Sequence, residues 1–191
     1  MAIFTIKTLG GESKIFIGSG IKDFISHVPS NAVIITDNNV NNIYGSQWQD
    51  YQSIVIEAGE KNKTLSTVDD IIKQLLSFGV DRSGFILGVG GGIVCDIAGF
   101  VASTYMRGVR FAFVPTTLLA QVDASIGGKN GVNIEGFKHG WIRSHLVADG
   151  FTLHPPKLLR HSLFDIYYSI FAFSTPPTSL IHCFYKSVAI P

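Results

Sequence analysis

Short apolar runs alternate with helical patterns through the first two thirds of the sequence, and this alternation constrains the fold more than any other feature. Runs rich in β-branched and aromatic residues, bounded by turn residues, are typical of strands. Five of them stand at 14–17, 32–36, 53–57, 85–89 and 111–114. Strands that alternate with helices form a parallel sheet covered by those helices. We therefore predict an α/β fold with a Rossmann-like parallel sheet and flanking helices.

One connecting helix is marked by its periodicity. Between the third and fourth runs, apolar side chains recur at the spacing of one helix face: Val68, Ile71, Ile72, Leu75 and Leu76. Gly79 follows, and glycine is favoured just past the C-terminus of a helix. The sequence therefore predicts a helix that ends shortly before Gly79.

The charge balance argues against nucleic acid and membranes as partners. Lys and Arg number 15 against 14 Asp and Glu, so no broad field attracts a polyanion or an anionic lipid surface. The N-terminus has no basic segment followed by an apolar stretch, which predicts a cytoplasmic protein without a secretory signal. The longest uncharged run, 166–185, contains Pro176 and Pro177, which disfavour a membrane-spanning helix.

A glycine-rich segment, Gly88-Val89-Gly90-Gly91-Gly92, follows the fourth strand and opens an apparent helix. Glycines let the backbone approach a phosphate closely, and a helix N-terminus favours negative charge. The spacing departs from the GxGxxG fingerprint, because Ile93 stands where the last glycine belongs. Two interpretations stay open: a pyrophosphate cradle, or a tight turn whose glycines only permit close packing.

Asp37 stands at the end of the second predicted strand, where a carboxylate can accept hydrogen bonds from a ribose. In the usual arrangement the acid follows the glycine loop, whereas Asp37 precedes it. A dinucleotide bound here would therefore require a variant topology. The alternative interpretation of Asp37-Asn38-Asn39 is an Asx turn or a helix cap.

The most specific segment is 115–133, which reads Pro-Thr-Thr-Leu-Leu-Ala-Gln-Val-Asp-Ala-Ser-Ile-Gly-Gly-Lys-Asn-Gly-Val-Asn. Its density of hydroxyl, carboxylate, amide and ammonium groups indicates a ligand site. The run resembles the hallmark of 3-dehydroquinate synthases. Three other stretches agree with that family in order and spacing: Gly59-Glu60 with Lys63, 90–100, and 105–109. The resemblance covers residues 1–138.

The resemblance implies three groups of site residues. Positions that contact NAD in the family fall on Asp37, Glu60, Lys63, Gly90, Gly91, Gly92, Asp96, Thr116, Thr117 and Lys138. Positions that line the substrate and the nicotinamide fall on Asp123, Lys129 and Asn133. Arg107 falls on an arginine that helps to hold the substrate phosphate, in a homodimer across the subunit interface. These residue types suit the ligand, since Lys and Arg bind phosphate and carboxylate through charge-assisted hydrogen bonds.

The resemblance also implies an activity. The family cyclises a seven-carbon sugar-acid phosphate, DAHP, to 3-dehydroquinate with loss of phosphate, in the shikimate pathway of aromatic amino acid biosynthesis. It uses NAD, which is recycled within each turnover, and a divalent metal, zinc or cobalt. The metal ligands belong to the helical C-terminal domain of the family. No metal ligands are therefore assigned in this sequence.

The family pattern breaks after Lys138, where His139-Gly140-Trp141-Ile142 replaces the usual Asn-Met-(Val/Ile)-Gly. Codons for these four residues, read one base out of register, encode Met-Val-Gly for one choice of third base. A frameshift explains this fit. We therefore predict an NAD-binding domain at 1–138 and an aberrant, out-of-frame tail at 139–191 with no domain of its own, and we expect the chain as it stands to be inactive.

Five histidines in the tail invite a metal-site interpretation: His139, His145, His154, His161 and His182. Their spacing forms no HxH or HExxH motif, and no glutamate follows Glu135. Two alternatives to a dehydroquinate synthase remain open. One is a related sugar-phosphate cyclase or a glycerol-dehydrogenase-like enzyme, and the other is a non-catalytic NAD-binding or dimerisation fragment.

Overall fold

The computed structural model describes residues 2–8, 11–18, 20–125, 129–134, 141–145 and 170–174. Four α-helices lie in this part of the chain: α1 (Ile21–Ile25), α2 (Asn38–Tyr44), α3 (Leu65–Ser77) and α4 (Gly92–Thr104). The strands described there are β1 (Ala2–Thr8), β2 (Gly11–Ile17), β3 (Ala32–Asp37), β4 (Gln52–Ile56), β5 (Phe85–Gly90), β6 (Arg110–Pro115), β7 (Lys129–Asn133), β8 (Trp141–His145) and β9 (Ile170–Ser174). A π-helical turn, Ala120–Ala124, follows β6.

The main sheet has seven strands in the order β1-β2-β9-β6-β5-β3-β4. Strands β6, β5, β3 and β4 are parallel to one another and correspond to four of the five predicted runs. The predicted parallel α/β core is therefore confirmed. The fifth run, 14–17, lies in β2, which pairs antiparallel with β1 and β9, so the sheet is mixed rather than purely parallel. Strands β7 and β8 form a separate antiparallel pair.

The connections of the parallel strands diverge at the centre of the sheet. From β3 the chain passes through α2 to β4 on one side, and α3 then carries it back across β3 to β5. From β5 it continues through α4 to β6 on the other side. The carboxyl ends of β3 and β5 therefore flank a topological switch point, where open α/β sheets bind their ligands.

Each face of the sheet has its own hydrophobic cluster. Residues such as Ile35 and Ile86 pack on the side of α3 and α4, and residues such as Ile34 and Leu87 pack on the side of α1. This division follows from the period of two in a strand, which sends neighbouring side chains to opposite faces. The inner strands β3, β5 and β6 are buried on both faces and are therefore mostly apolar, whereas the edge strand β4 alternates, with Val55 44% exposed.

Helix α3 confirms the helix predicted from periodicity. Thr64 begins it, with its hydroxyl accepting a hydrogen bond from Thr67 N at 3.2 Å. After the helix, Gly79 has φ +70°, and its N–H donates to Leu76 O while Val80 N–H donates to Leu75 O. This is a Schellman-type ending, and its left-handed position explains why glycine stands there.

Two strands fall in the segment 139–191. Strand β8 pairs with β7, and β9 lies between β2 and β6 in the main sheet, antiparallel to both. Apart from 141–145 and 170–174, this segment lies outside the described residues. That 139–191 forms no domain of its own therefore stays a prediction. In the part of the chain that is described, no helix is long and apolar enough to cross a membrane.

Candidate functional site

A cavity of about 210 Å³ opens at the switch point, at the carboxyl ends of the parallel strands. Its walls come from the ends of β3 and β4, the start of α4 and the segment after β6. The lining residues are Asp37, Ile56, Glu57, Ala58, Gly59, Gly91, Gly92, Ile93, Val94 and Thr117. The volume is below the roughly 300 Å³ at which ligand pockets usually begin, so the cavity suits part of a dinucleotide rather than the whole.

The glycine loop forms the floor of this cavity. Gly91 is the N-cap of α4 and supplies no side chain to cap the first-turn N–H groups. A Cβ added at Gly91 would lie 3.2 Å from Thr117 Cγ2, so any larger residue would push into the cavity wall. Gly90 O accepts a hydrogen bond from Thr116 N at 2.9 Å, which joins the loop to the end of β6. Gly91, Gly92 and Thr117, which the resemblance assigns to NAD contact, thus line one crevice.

Asp37 combines both interpretations offered by the sequence. It is the N-cap of α2, and its Oδ1 accepts a hydrogen bond from Val40 N at 3.0 Å. The same residue also lines the cavity opposite Gly91 and Gly92. Capping uses one carboxylate oxygen, and a carboxylate has capacity for further donors. Asp37 can therefore cap α2 and accept a hydrogen bond from a ligand hydroxyl.

Residues 57–63, which we call the 57–63 loop, connect β4 to the start of α3. Asn62 shapes this loop from within: its Nδ2 donates to Glu57 O at 3.1 Å and to Ala58 O at 3.2 Å. Asn38 fastens it from outside, because its Oδ1 accepts a hydrogen bond from Ala58 N at 3.1 Å. Sequence reasoning missed both asparagines, since nothing in their spacing distinguishes them from ordinary turn residues.

Lys63 and Asp96 form a largely buried ion pair. Their Nζ and Oδ2 atoms are 2.5 Å apart, and the two side chains are 16% and 18% exposed. Burial raises the pKa of Asp96; Lys63 opposes this by favouring the charged form, while Glu60 and Asp123 add to the rise. Both partners of this pair are NAD-contact positions by the resemblance. The structure shows that they also contact each other.

Asn133 joins the strand β7 to the 57–63 loop. Its backbone N–H donates to Lys63 O at 2.7 Å, and its Nδ2 donates to Glu60 Oε1 at 2.9 Å. A substrate position and two cofactor positions of the resemblance are thus held side by side. The contact links residues 73 apart in the chain, so no local pattern could have predicted it.

The structure describes the remaining assigned positions to different extents. Asp123 is exposed in the π-helical turn after β6. It acts electrostatically on Asp96, which places it on the same side of α4 as the Lys63 pair. Lys129 begins β7, but its side chain lies outside the described residues, as does all of Lys138. The structure therefore describes no side-chain contact for either lysine.

Arg107 is not brought into the crevice. It lies beyond the C-terminus of α4, and this helix of 13 residues begins at the cavity. A helix of that length rises about 18 Å, so Arg107 stands near the opposite edge of the sheet. Met106 and Arg107 both have positive φ, 51° and 66°, a strained conformation for residues with side chains. Within one chain, the length of α4 separates Arg107 from the cavity.

The cavity fits a dinucleotide phosphate better than a metal ion. The bare glycine N-cap provides a cradle that a Cβ would fill, with the N-terminus of a long helix behind it. Among the described residues, no group of three His, Cys, Asp or Glu side chains could hold a metal. We therefore assign no chemical step to a metal held by these residues.

Comparison with known sequences identifies relatives of this chain. Residues 53–149 match the family described as 3-dehydroquinate synthase N-terminal. A 3-dehydroquinate synthase of Clostridium acetobutylicum is 43% identical over 146 residues, which cover 69% of this chain and 41% of that protein. The chain thus spans less than half of the length of this relative.

Two solved structures share their fold with most of this chain. A 2-deoxy-scyllo-inosose synthase complexed with carbaglucose-6-phosphate, NAD+ and Co2+ has a TM-score of 0.62 and 25% identity, over 81% of this chain and 43% of that one. A 2-epi-5-epi-valiolone synthase from Streptomyces hygroscopicus, with NAD+ and Zn2+ bound, has a TM-score of 0.61 and 28% identity, over 76% and 43% of the two chains. Both of these synthases have NAD+ and a divalent metal ion bound.

Proposed function

The chain belongs to the 3-dehydroquinate synthase family, and we propose that its cavity is the NAD site of a 3-dehydroquinate synthase. The observation that carries this proposal is the convergence of three motifs on one crevice. Asp37, the glycine loop and Thr117 come from three separate strands and line the same cavity. Capping and close packing account for each motif alone, but they do not require that the three meet around an open space.

The residues around the cavity suit the parts of NAD. The N–H groups at the start of α4, behind Gly91 and Gly92, would bind the pyrophosphate. Asp37 would accept hydrogen bonds from a ribose. Asp96 lies one turn into α4, and it would orient the nicotinamide end together with its partner Lys63 and with Glu60 of the 57–63 loop.

The substrate would be held by the segment after β6 and by β7. Asp123 and Asn133 offer a carboxylate and an amide that can fix hydroxyl groups of a sugar acid, and Lys129 offers a cation for its carboxylate or phosphate. When bound, NAD would accept a hydride from the ring carbon that bears the hydroxyl group being oxidised, while the hydroxyl loses its proton. The overall reaction proposed is the cyclisation of DAHP to 3-dehydroquinate with release of phosphate. Arg107 would act on the phosphate in the other subunit of a homodimer.

Two alternatives keep some support. A related sugar-phosphate cyclase is supported by the similarity of fold to the two synthases named above, which extends over 81% and 76% of this chain. The run 115–133 argues for the dehydroquinate synthase, because it matches the hallmark of that family nearly residue for residue. A non-catalytic NAD-binding or dimerisation fragment is the second alternative, and it predicts cofactor binding without turnover.

Catalysis by this chain alone is not expected. The ligands of the divalent metal would have to lie outside the described residues. Without the metal the reaction loses a Lewis acid, which can cost several kcal/mol of transition-state stabilisation. Each 1.36 kcal/mol is about tenfold in rate. The test is phosphate release from DAHP with NAD and Zn²⁺, comparing this chain with a version restored to the other reading frame after Lys138. Activity only in the restored version supports the proposal, and equal activity in both contradicts it.

A further inference from the structure

The residues that line the cavity carry negative charge and include no cation. Two of the described residues that line it, Asp37 and Glu57, are carboxylates, and none of these lining residues is Lys, Arg or His. Resting on the NAD site proposed above, we propose that Glu57 determines cofactor specificity: it excludes a dinucleotide with a 2′-phosphate and leaves the unphosphorylated ribose acceptable. The ligand class is thus NAD rather than NADP.

Glu57 is held at the wall by the fold around it. It directly follows β4, and the Nδ2 of Asn62 donates to its carbonyl oxygen at 3.1 Å and approaches its Oε2 at 3.4 Å. The neighbouring Ala58 N–H donates to Asn38 Oδ1 at 3.1 Å, which fastens this wall to the first residue of α2. The wall carrying Glu57 is therefore fixed relative to Asp37, the residue immediately before Asn38.

The charge of Asp37 alone is poorly suited to exclude a phosphate. Its Oδ1 accepts a hydrogen bond from Val40 N at the N-terminus of α2, and the positive end of a helix offsets part of a carboxylate charge. Glu57 adds a second negative charge on the adjoining strand end. A ribose hydroxyl can donate to either carboxylate, whereas a phosphate dianion has no proton to donate and is repelled by both.

Lys61 forms an ion pair with Glu57, and this pair adds a second effect to the proposed role of Glu57. Lys61 Nζ lies 3.3 Å from Glu57 Oε2, with the two side chains 76% and 69% exposed. Such an exposed pair adds little stability. The Glu57 carboxylate nevertheless neutralises the ammonium group of Lys61, which lies four residues further along the chain. Removing Glu57 would leave Lys61 available to a 2′-phosphate. The same substitution thus removes a repulsive charge and releases an attractive one.

The experiment measures NAD and NADP binding by calorimetry at low salt, for the wild-type chain and for Glu57→Gln, Lys61→Met and the double variant. The wild-type chain should prefer NAD at least about tenfold. Glu57→Gln should reduce that preference roughly five- to tenfold, as expected for one charge across a solvated groove, mainly by tightening NADP. Lys61→Met should not reduce the preference, and the double variant should lie between Glu57→Gln and wild type.

The chain offers a matched control for charge alone. Asp69 and Lys73 on α3 form a similar exposed pair, four residues apart with Nζ and Oδ2 at 2.6 Å. Asp69→Asn should leave the NAD preference unchanged, and unfolding curves should confirm that every variant folds. An unchanged preference in Glu57→Gln, or an equal change in Asp69→Asn, overturns the role of Glu57 while NAD binding stands. Wild-type chain that binds neither nucleotide overturns the proposed NAD site and this inference with it.

Discussion

The amide of Asn130 packs against the bare backbone of Gly99, and a Cβ built on Gly99 would lie 2.2 Å from Asn130 Oδ1. Gly99 lies in α4 and Asn130 in β7, so this contact sets how closely the strand that carries Asn133 approaches the helix that carries Asp96. Asn130 is 1% exposed, and neither its Oδ1 nor its Nδ2 has a hydrogen-bond partner in the described structure.

Gly99→Ala should destabilise the chain by about 1 to 3 kcal/mol, the usual cost of overpacking. Alanine favours a helix interior by about 1 kcal/mol over glycine, so a loss despite this gain would identify the clash. The measurement is the free energy of unfolding in urea. Adding Asn130→Ala should recover at least half of the loss, because it removes the atom that the new Cβ would meet. Equal costs of Gly99→Ala with and without Asn130→Ala would contradict this close contact.

Lys63→Met should raise the pKa of Asp96 further. Burial already raises this pKa, and Lys63 is the group that opposes the rise. Because the folded-state pKa is above the model value of 3.8, the folded chain binds more protons than the unfolded chain between these two pKa values. The contribution of Asp96 to stability is therefore present below pH 3.8 and declines as the pH rises through the folded-state pKa.

The measurement for Asp96 is a carboxyl ¹³C titration by NMR in wild type and in Lys63→Met. The decline in stability should extend to higher pH in the variant. Lys73→Met serves as the control, since Lys73 pairs with Asp69 and Asp70 on the exposed face of α3. A pKa of Asp96 that stays unchanged or falls in Lys63→Met would show that the ion pair does not form as described.

Cys95 should not react with thiol reagents in the folded chain. Its side chain is fully buried in α4, and burial, assisted by the charge of Asp96, raises the pKa of the thiol. In a Cys183→Ser background, labelling of Cys95 should be roughly a hundredfold slower in buffer than in denaturing urea. Labelling at similar rates in both conditions would argue against the tight packing of α4.

The sequence predicted the parallel strands well, because β3, β5 and β6 are buried on both faces and β4 on one. Continuous apolar runs placed β3, β4, β5 and β6 to within about one residue of the observed strands. It did not predict β1, where Ile3 and Phe4, two of the residues whose burial is described, are both about half exposed. It also could not give the antiparallel direction of β2, since pairing direction depends on a partner elsewhere in the chain.

The sequence predicted which residues belong to the candidate site better than it predicted the contacts between them. The strand ends placed Asp37 and the glycine loop on one edge of the sheet, because carboxyl ends of parallel strands share an edge. The Lys63–Asp96 pair spans 33 positions and arises only when α4 packs beside the 57–63 loop. The resemblance assigns Arg107 to the site of the other subunit in a homodimer, and that assignment stays a prediction, since α4 places Arg107 at the far edge of its own chain.

The central claim is that the cavity beside Gly91 binds NAD, and the most direct measurement is calorimetric NAD titration of wild type and Gly91→Val. Gly91 lies in the cavity floor, and a branched side chain there would fill the space between the loop and Thr117. We predict saturable NAD binding by wild type and at least about a tenfold loss in Gly91→Val, with a cooperative urea transition showing that the variant still folds. Absence of NAD binding by folded wild-type chain, or equal affinity in both proteins, would contradict the account.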